Sequence, residues 1–442
     1  MGPLLERAAA ATRSKKLWSS PALATPYREV LPEDERIAGL SQLWSEVKLN
    51  FANFDLVPDV DWDALYLASL PRVRQTRSTL EYYRVLMGVV AKLKDGHTNV
   101  YPPAELWDEM MARPALFTGL IEGRVVITRV LDASLAAAGL GVGVEVVAID
   151  GIPVKTYGEE RVAPYQSAST PQDREVRTYT YSLLAGPVSV PVKLALRTVS
   201  GKTIELSVPR KSGAEAAKLP VTPPIELRML PRNVAYLAIN TFASDSVAEQ
   251  FEARFEELSR ASALVLDLRD NDGGNGGVAY RILQTLTDKP FLATRWRTRE
   301  YHPAFRAFGF GEGTFELAPE VVPLAGARRF DKPVVVLTSA RTFSAGEDFV
   351  VGFDAMKRGT IVGEPTGGST GSPLFFSLPG GGTGRVCTKR DTYPDGKEFI
   401  GVGVVPDVLV RSTLADVRAG RDTVLERALE VLRHARPPGA QK

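Results

Sequence analysis

The chain has 442 residues, 44% hydrophobic and 24% charged, enough for two to four domains with ordinary cores. Its formal charge of +2, with no basic block or aromatic-interleaved basic stripe, disfavours nucleic acid as a partner. No run approaches the roughly 18 apolar residues of a membrane span, and one cysteine, Cys387, excludes an intrachain disulfide.

The segment Met1 to Leu17 mixes Glu6, Arg7, Arg13, Lys15 and Lys16 with alanines. It lacks the order of basic end, apolar core and cleavage site of a secretory signal. The expectation is a cytosolic protein, or one whose leader has already been removed.

The first hundred or so residues read as helical. Ile37, Leu40, Leu43, Val47 and Phe51 recur on one helical face. A second helix opens at Ser78 with a capping box to Glu81, carries Leu80, Tyr83, Leu86, Val90 and Leu93, and ends at Gly96. Pro102 and Pro103 mark a boundary.

From about Ala115 to Arg210 the pattern turns to short β-rich runs, Arg124 to Val130, Val144 to Ile149 and Val188 to Val199, set off by Gly and Pro. Ala133 to Leu140 followed by Gly143-Val144-Glu145-Val146-Val147-Ala148-Ile149-Asp150-Gly151 resembles the PDZ pattern of a short helix before a strand and turn, with Glu145 where Asp is usual. PDZ-like domains capture peptide ends by strand addition beside a glycine loop, for which Gly119 and Leu120 are the candidates. A PDZ-like spacer that binds nothing is the alternative.

Lys211 to Pro224 reads as a linker. Beyond it, strands at Val234 to Ile239, Ala263 to Leu268, Val334 to Leu337 and Thr360 to Val362 alternate with helices at Val247 to Arg260, Ser344 to Lys357 and Arg421 to Arg436. This alternation predicts an α/β or mixed α+β domain. Cys387, in a strand-like run, reads as a small packed side chain.

Three features carry chemistry. Ser344 lies at a strand-to-helix turn, where its hydroxyl can project beside the free amides of a helix N-terminus; the plainer reading is an N-cap paired with Glu347. Of three histidines, His434 ends a helix, His302 lies in an ordinary loop, and His97 follows a helix end in Asp95-Gly96-His97-Thr98. The strand into Asp267-Leu268-Arg269-Asp270-Asn271-Asp272-Gly273-Gly274 ends in a glycine turn that lets amides approach a ligand. It does not have the spacing of a nucleotide-binding loop. An amide of Gly273 or Gly274 joined to that of Ala345 would make an oxyanion hole, while Asp267 can be explained as a buried partner of Arg269.

In order, Asp95-Gly96-His97-Thr98, the PDZ-like block, the Asp267 to Gly274 turn, Thr338 to Phe349 and Gly401-Val402-Gly403-Val404-Val405-Pro406-Asp407 resemble the S41 serine peptidases. That family includes carboxyl-terminal processing proteases, the tricorn core and retinoid-binding modules. The resemblance implies a multidomain α+β fold: a helical domain at 1–110 carrying His97, a PDZ-like domain at 111–212, and an α/β, ClpP- or crotonase-like catalytic domain at 213–442. Processing proteases use a lysine about two dozen residues after the serine, but Gly363 to Gly371 contains none. The tricorn-like branch uses a histidine, which matches His97.

That branch also carries a glutamate before the Gly-x-Gly-Val-x-Pro-Asp motif. Here Ile400 takes the aligned position, Glu398 is the nearest carboxylate on the same strand face, and Glu364 is a second choice. Tricorn has a serine before its histidine where this chain has Gly96. The implied activity is cleavage of peptides or unfolded protein tails by Ser344, His97 and Glu398, without cofactor or metal, at a domain interface whose opening could gate it. The alternatives are a peptide- or ligand-binding protein on the same fold, and a Ser–Lys pair using Lys357.

Overall fold

A computed structural model describes residues 21–434; Met1 to Leu17 lies outside the described residues. Three layers of structure follow one another, and each owes its core to the periodicity of its sequence.

The first layer is helical. Helices Glu33–Asn50 and Thr79–Val90 form as their apolar stripes predict, burying Leu40, Leu43, Val47, Tyr82, Tyr83 and Leu86. Ser78 caps the second, accepting the Glu81 N–H at 3.1 Å. Between them runs a further helix, Trp62–Gln75, whose interior Pro71 obscures the pattern. This core is not confined to the N-terminal hundred residues: Phe376, Leu378, Val386 and Cys387 pack into it. They belong to a hairpin of strands Pro373–Ser377 and Thr383–Cys387, and Asn99–Tyr101 joins it as a third strand, with Asn99 opposite Arg385. A boundary at residue 110 therefore cuts through a shared sheet.

The second layer is an antiparallel sheet of Leu116–Ile121, Arg124–Val130, Glu145–Ile149, Val192–Arg197 and Thr203–Val208 around its own apolar cluster. Gly119 and Leu120 lie within its first strand, opposite Val126 and Val125, and not in a loop. The turn falls later, at Glu122 and Gly123, both with positive φ.

The third layer is a six-stranded sheet in the order 408–409, 360–363, 334–338, 263–267, 234–239, 225–230, parallel except for its last pair. Its central strands are buried on both faces, as parallel sheets require. Leu264, Leu266, Val334 and Val336 face helices Asp245–Ala253, Gly276–Leu283 and Ala345–Ala355, whereas Val265, Val335 and Leu337 face the C-terminal helix Thr423–His434. The whole is a multidomain α+β fold. The turns that follow Ala263–Asp267 and Val334–Thr338 leave from the same end of adjacent parallel strands, the position where open α/β sheets bind ligands.

Candidate active site

Two neighbouring turns are stitched together before any functional side chain is considered. Thr342 Oγ1 donates to the Leu268 carbonyl at 2.7 Å, Ser339 Oγ to the Arg269 carbonyl at 2.6 Å, and the Phe343 N–H to the Asn271 carbonyl at 2.9 Å. Asn271, fully buried, donates to the Ile239 carbonyl and accepts the Gly273 N–H at 2.9 Å. Behind them Arg269 is held by Asp267 and Asp422, and the Tyr236 hydroxyl donates to Asp267 at 2.7 Å. Asp267 is thus a structural partner of Arg269.

The stitched turns hold Ser344 at φ 56°, ψ −125°, a strained backbone for a residue with a Cβ and worth about 1–3 kcal/mol. Ser344 does occupy the N-cap position of helix Ala345–Ala355, and Glu347 reaches back to its N–H at 3.3 Å. Its hydroxyl, however, lies 3.1 Å from His97 Nε2.

His97 is 4% exposed and is fixed on three sides. Its N–H donates to Asp95 Oδ1 at 2.9 Å, its ring stacks on Phe343 at 4.8 Å, and Nδ1 lies 2.8 Å from Ser369 Oγ. Burial, and then Arg385, Arg177 and Lys389, hold its pKa well below the usual imidazole value. The imidazole is therefore neutral at pH 7, the form that can accept a proton. With Nδ1–H donated to Ser369, Nε2 faces Ser344 with its lone pair.

Glu398 does not take part in this contact. Its carboxylate is bonded by Arg390 Nε at 3.1 Å and Arg297 Nη2 at 3.2 Å, so charge pairing holds it away from His97. Glu364 pairs with Arg411 at 3.3 Å, and Ile400 is packed in the apolar core. The group on Nδ1 is Ser369, and the carboxylate behind it is Glu347. Fully buried, Glu347 accepts from Thr366 Oγ1 at 2.6 Å and from the N–H groups of Gly368 and Ser369, each at 2.8 Å. Burial pushes its pKa up to about 8 against those donated bonds. The Ser-x-x-Glu spacing marks Glu347 in the sequence, although as a helix cap; no local signal marks Ser369.

Between the two glycines of the turn the structure makes a choice. The Gly273 N–H is spent on Asn271, whereas among the described residues neither the Gly274 nor the Ala345 N–H has an acceptor. Gly274 lines the cleft with Ser344 and His97, so Gly274 and Ala345, and not Gly273, supply the free amides. Gly273 is needed for clearance: at φ 96°, a Cβ on it would lie 2.5 Å from Ser344 Cβ. The cleft holds about 380 Å³ and is also lined by Val176, Arg177, Tyr181, Pro373 and Arg385.

Lys357 is exposed and paired with Asp354 at 2.8 Å, on the surface. Lys389 is committed to Asp391 at 2.7 Å. Cys387 is fully buried, with its thiol pKa raised by that burial. Among the described residues, no three His, Cys, Asp or Glu side chains are grouped to hold a metal, and no helix is long and apolar enough to cross a membrane. A hydroxyl, a neutral imidazole and two free amides around one cleft suit acyl transfer.

Comparison with known proteins points the same way. Residues 233–410 match the model of peptidase family S41. The carboxyl-terminal-processing protease of Synechocystis sp. is 25% identical over 301 residues, 67% of this chain and 61% of the relative, so the match spans less than two thirds of that protein. The protease of the same name from Picosynechococcus sp. is 22% identical over 84% of this chain and 82% of its own length. Among solved structures, mature CPAF matches with a TM-score of 0.71 at 17% identity, covering 91% of this chain and 98% of that one. The photosystem II D1 C-terminal processing protease matches with 0.50 at 20% identity, covering 85% and 93%. These two likenesses are of fold. The segment that matches peptidase family S41, residues 233–410, contains the glycine turn, the Ser344 turn and the buried carboxyl group behind it.

Proposed function

We propose that the protein hydrolyses peptide bonds of peptides or unfolded protein tails through an acyl-enzyme formed on Ser344. The observation that carries this reading is the 3.1 Å approach of a neutral, buried His97 Nε2 to a strained serine hydroxyl. Ser344 Oγ attacks the scissile carbonyl while His97 takes its proton, and the Gly274 and Ala345 N–H groups receive the oxyanion. His97 then returns the proton to the leaving amine, and water repeats the sequence to release the acid. Ser369 holds the ring in the tautomer this requires.

The division of labour follows the layers. Residues 213–442 carry the nucleophile on a ClpP- or crotonase-like sheet, 1–110 supply the base, and the sheet at 116–208 resembles a PDZ domain. Its first strand, at the sheet edge and packed against Val176–Ser182, is, more than a glycine loop, the feature on which a peptide would pair. The names of the processing-protease relatives favour protein C-termini as substrates.

Incubation with a fluorophosphonate probe, followed by intact mass, tests the reading. Wild type should gain one adduct, Ser344→Ala none, and His97→Ala should label about 10²- to 10⁴-fold more slowly. No adduct on folded wild type would reject it in favour of a binding protein on this fold.

A further inference from the structure

The cleft beside Ser344 contains three guanidinium groups that are unequally neutralised. Arg177 Nε lies 2.7 Å from Asp173 Oδ1, and Arg341 is ion-paired with Asp270. Arg385 has no carboxylate within ion-pair distance among the described residues. Its Nε donates to Asn99 Oδ1 at 2.7 Å and its Nη2 to the Gly96 carbonyl at 3.0 Å, and its plane lies over the Tyr101 ring at 5.4 Å.

Two neutral acceptors and a ring therefore fix the orientation of Arg385 without neutralising it, and its Nη1 has no acceptor among the described residues. The buried Asp95 acts on this half-buried guanidinium from beyond ion-pair distance, so no carboxylate contacts it to offset its lost hydration. Arg177 stands beside it, and its Nη2 approaches the same Gly96 carbonyl at 3.4 Å. Of the other charges on the cleft wall, Asp173 is committed to Arg177 and Asp272 is exposed. Arginine held in a plane is suited to a two-point grip on a carboxylate.

We propose that Arg385, with Arg177 beside it, binds a carboxylate of the peptide within one or two residues of the scissile bond, so that the cleft selects an acidic side chain or a free terminal carboxylate there. This rests on the peptidase reading and adds its substrate class. A peptide without that carboxylate leaves Arg385 unpaired, which corresponds to a preference of about 10- to 100-fold.

The test uses acetylated, amide-capped hexapeptides of Ala and Val carrying Asp, Glu, Asn or Gln at each position in turn, and the neutral parents with a free or amidated C-terminus. Wild type should favour the acid over its amide by about 10- to 100-fold in kcat/KM at one position. Preference in the first series identifies a side chain, and in the second a terminus. In Arg385→Gln the ratio should fall to about one; being a ratio, it is insensitive to a general loss from a disturbed Gly96 turn. A wild-type ratio within twofold in both series, or one that survives Arg385→Gln, overturns the proposal. If no peptide is hydrolysed, fluorescence anisotropy with Ser344→Ala gives the same ratio as Kd values. Equal values reject the carboxylate site, whereas a ratio without turnover keeps the site and rejects the peptidase.

Discussion

Replacing Ser369 by alanine removes the hydrogen-bond partner of His97 Nδ1 while leaving Ser344, the base and both free amides in place. The bond is 2.8 Å long, and the Ser369 side chain is fully buried, so bulk water has no direct route to replace the hydroxyl. Its value changes during the reaction, because the imidazole becomes an imidazolium as Ser344 attacks. Hydrogen bonds to charged groups contribute about 1.5–3 kcal/mol, which at about 1.4 kcal/mol per tenfold is a slowing of roughly 10- to 150-fold. The assay is the second-order rate of fluorophosphonate labelling of Ser344 across pH, with Tm measured alongside. Losing the acceptor weakens the imidazolium, so the acid limb stays put or moves to lower pH, and raising the pH does not restore the rate. Labelling within twofold of wild type, or a loss explained by a fall in Tm, would refute an orienting role for Ser369.

Labelling of wild type should be flat from about pH 6.5 upward, because the His97 pKa lies below the free imidazole value; a limb centred above 7 in the pH–rate profile would contradict a buried neutral base. Glu398→Gln and Lys357→Ala should each label within about twofold of wild type, since Lys357 pairs on the surface and the buried Arg390 behind Glu398 keeps Asp55 as a partner, and a large loss in either would restore the corresponding alternative. Above about pH 8, where Glu347 is ionised, Glu347→Gln turns a side-chain NH₂ toward one of the N–H or O–H donors around it, so both Tm and labelling rate should fall there, with about 1–3 kcal/mol lost in denaturant unfolding. Gly274→Ala would place a Cβ 2.4 Å from the Phe242 backbone at a φ of 131°; the turn must shift, and labelling should slow by about 10²- to 10³-fold.

The meeting of Ser344, His97 and the Ala345 amide at one cleft was legible because each sits in a short motif whose chemistry is local: a serine before a helix, a histidine after one, an amide at a helix start. The sheet pattern was legible because buried parallel strands are continuous apolar runs. Ser369 was not, for a physical reason. Gly367-Gly368-Ser369-Thr370-Gly371 has no periodicity, and its contacts are to residues as distant as His97, so nothing nearby marks it. Glu398 looked suitable because it lies close to the family motif; the cations that hold it, Arg297 and Arg390, come from other strands. The shared sheet of Asn99–Tyr101 with Thr383–Cys387 was hidden in the same way, and it ties the His97 turn to the later layer by three register pairs. Gating by free movement of the first layer would have to break that pairing.

The same strand pairing bears on when the molecule can first act. Ser344 leaves the ribosome some 247 positions after His97, and Ser369 and the hairpin through Cys387 later still. Until that hairpin has emerged, the histidine turn has no strand to pair with and its ring no hydroxyl to hold it. Contacts of such long sequence separation form slowly, so a nascent chain carries a serine but no assembled machinery. A chain made among other unfinished polypeptides in this way holds no assembled site until the segment through Cys387 has been made.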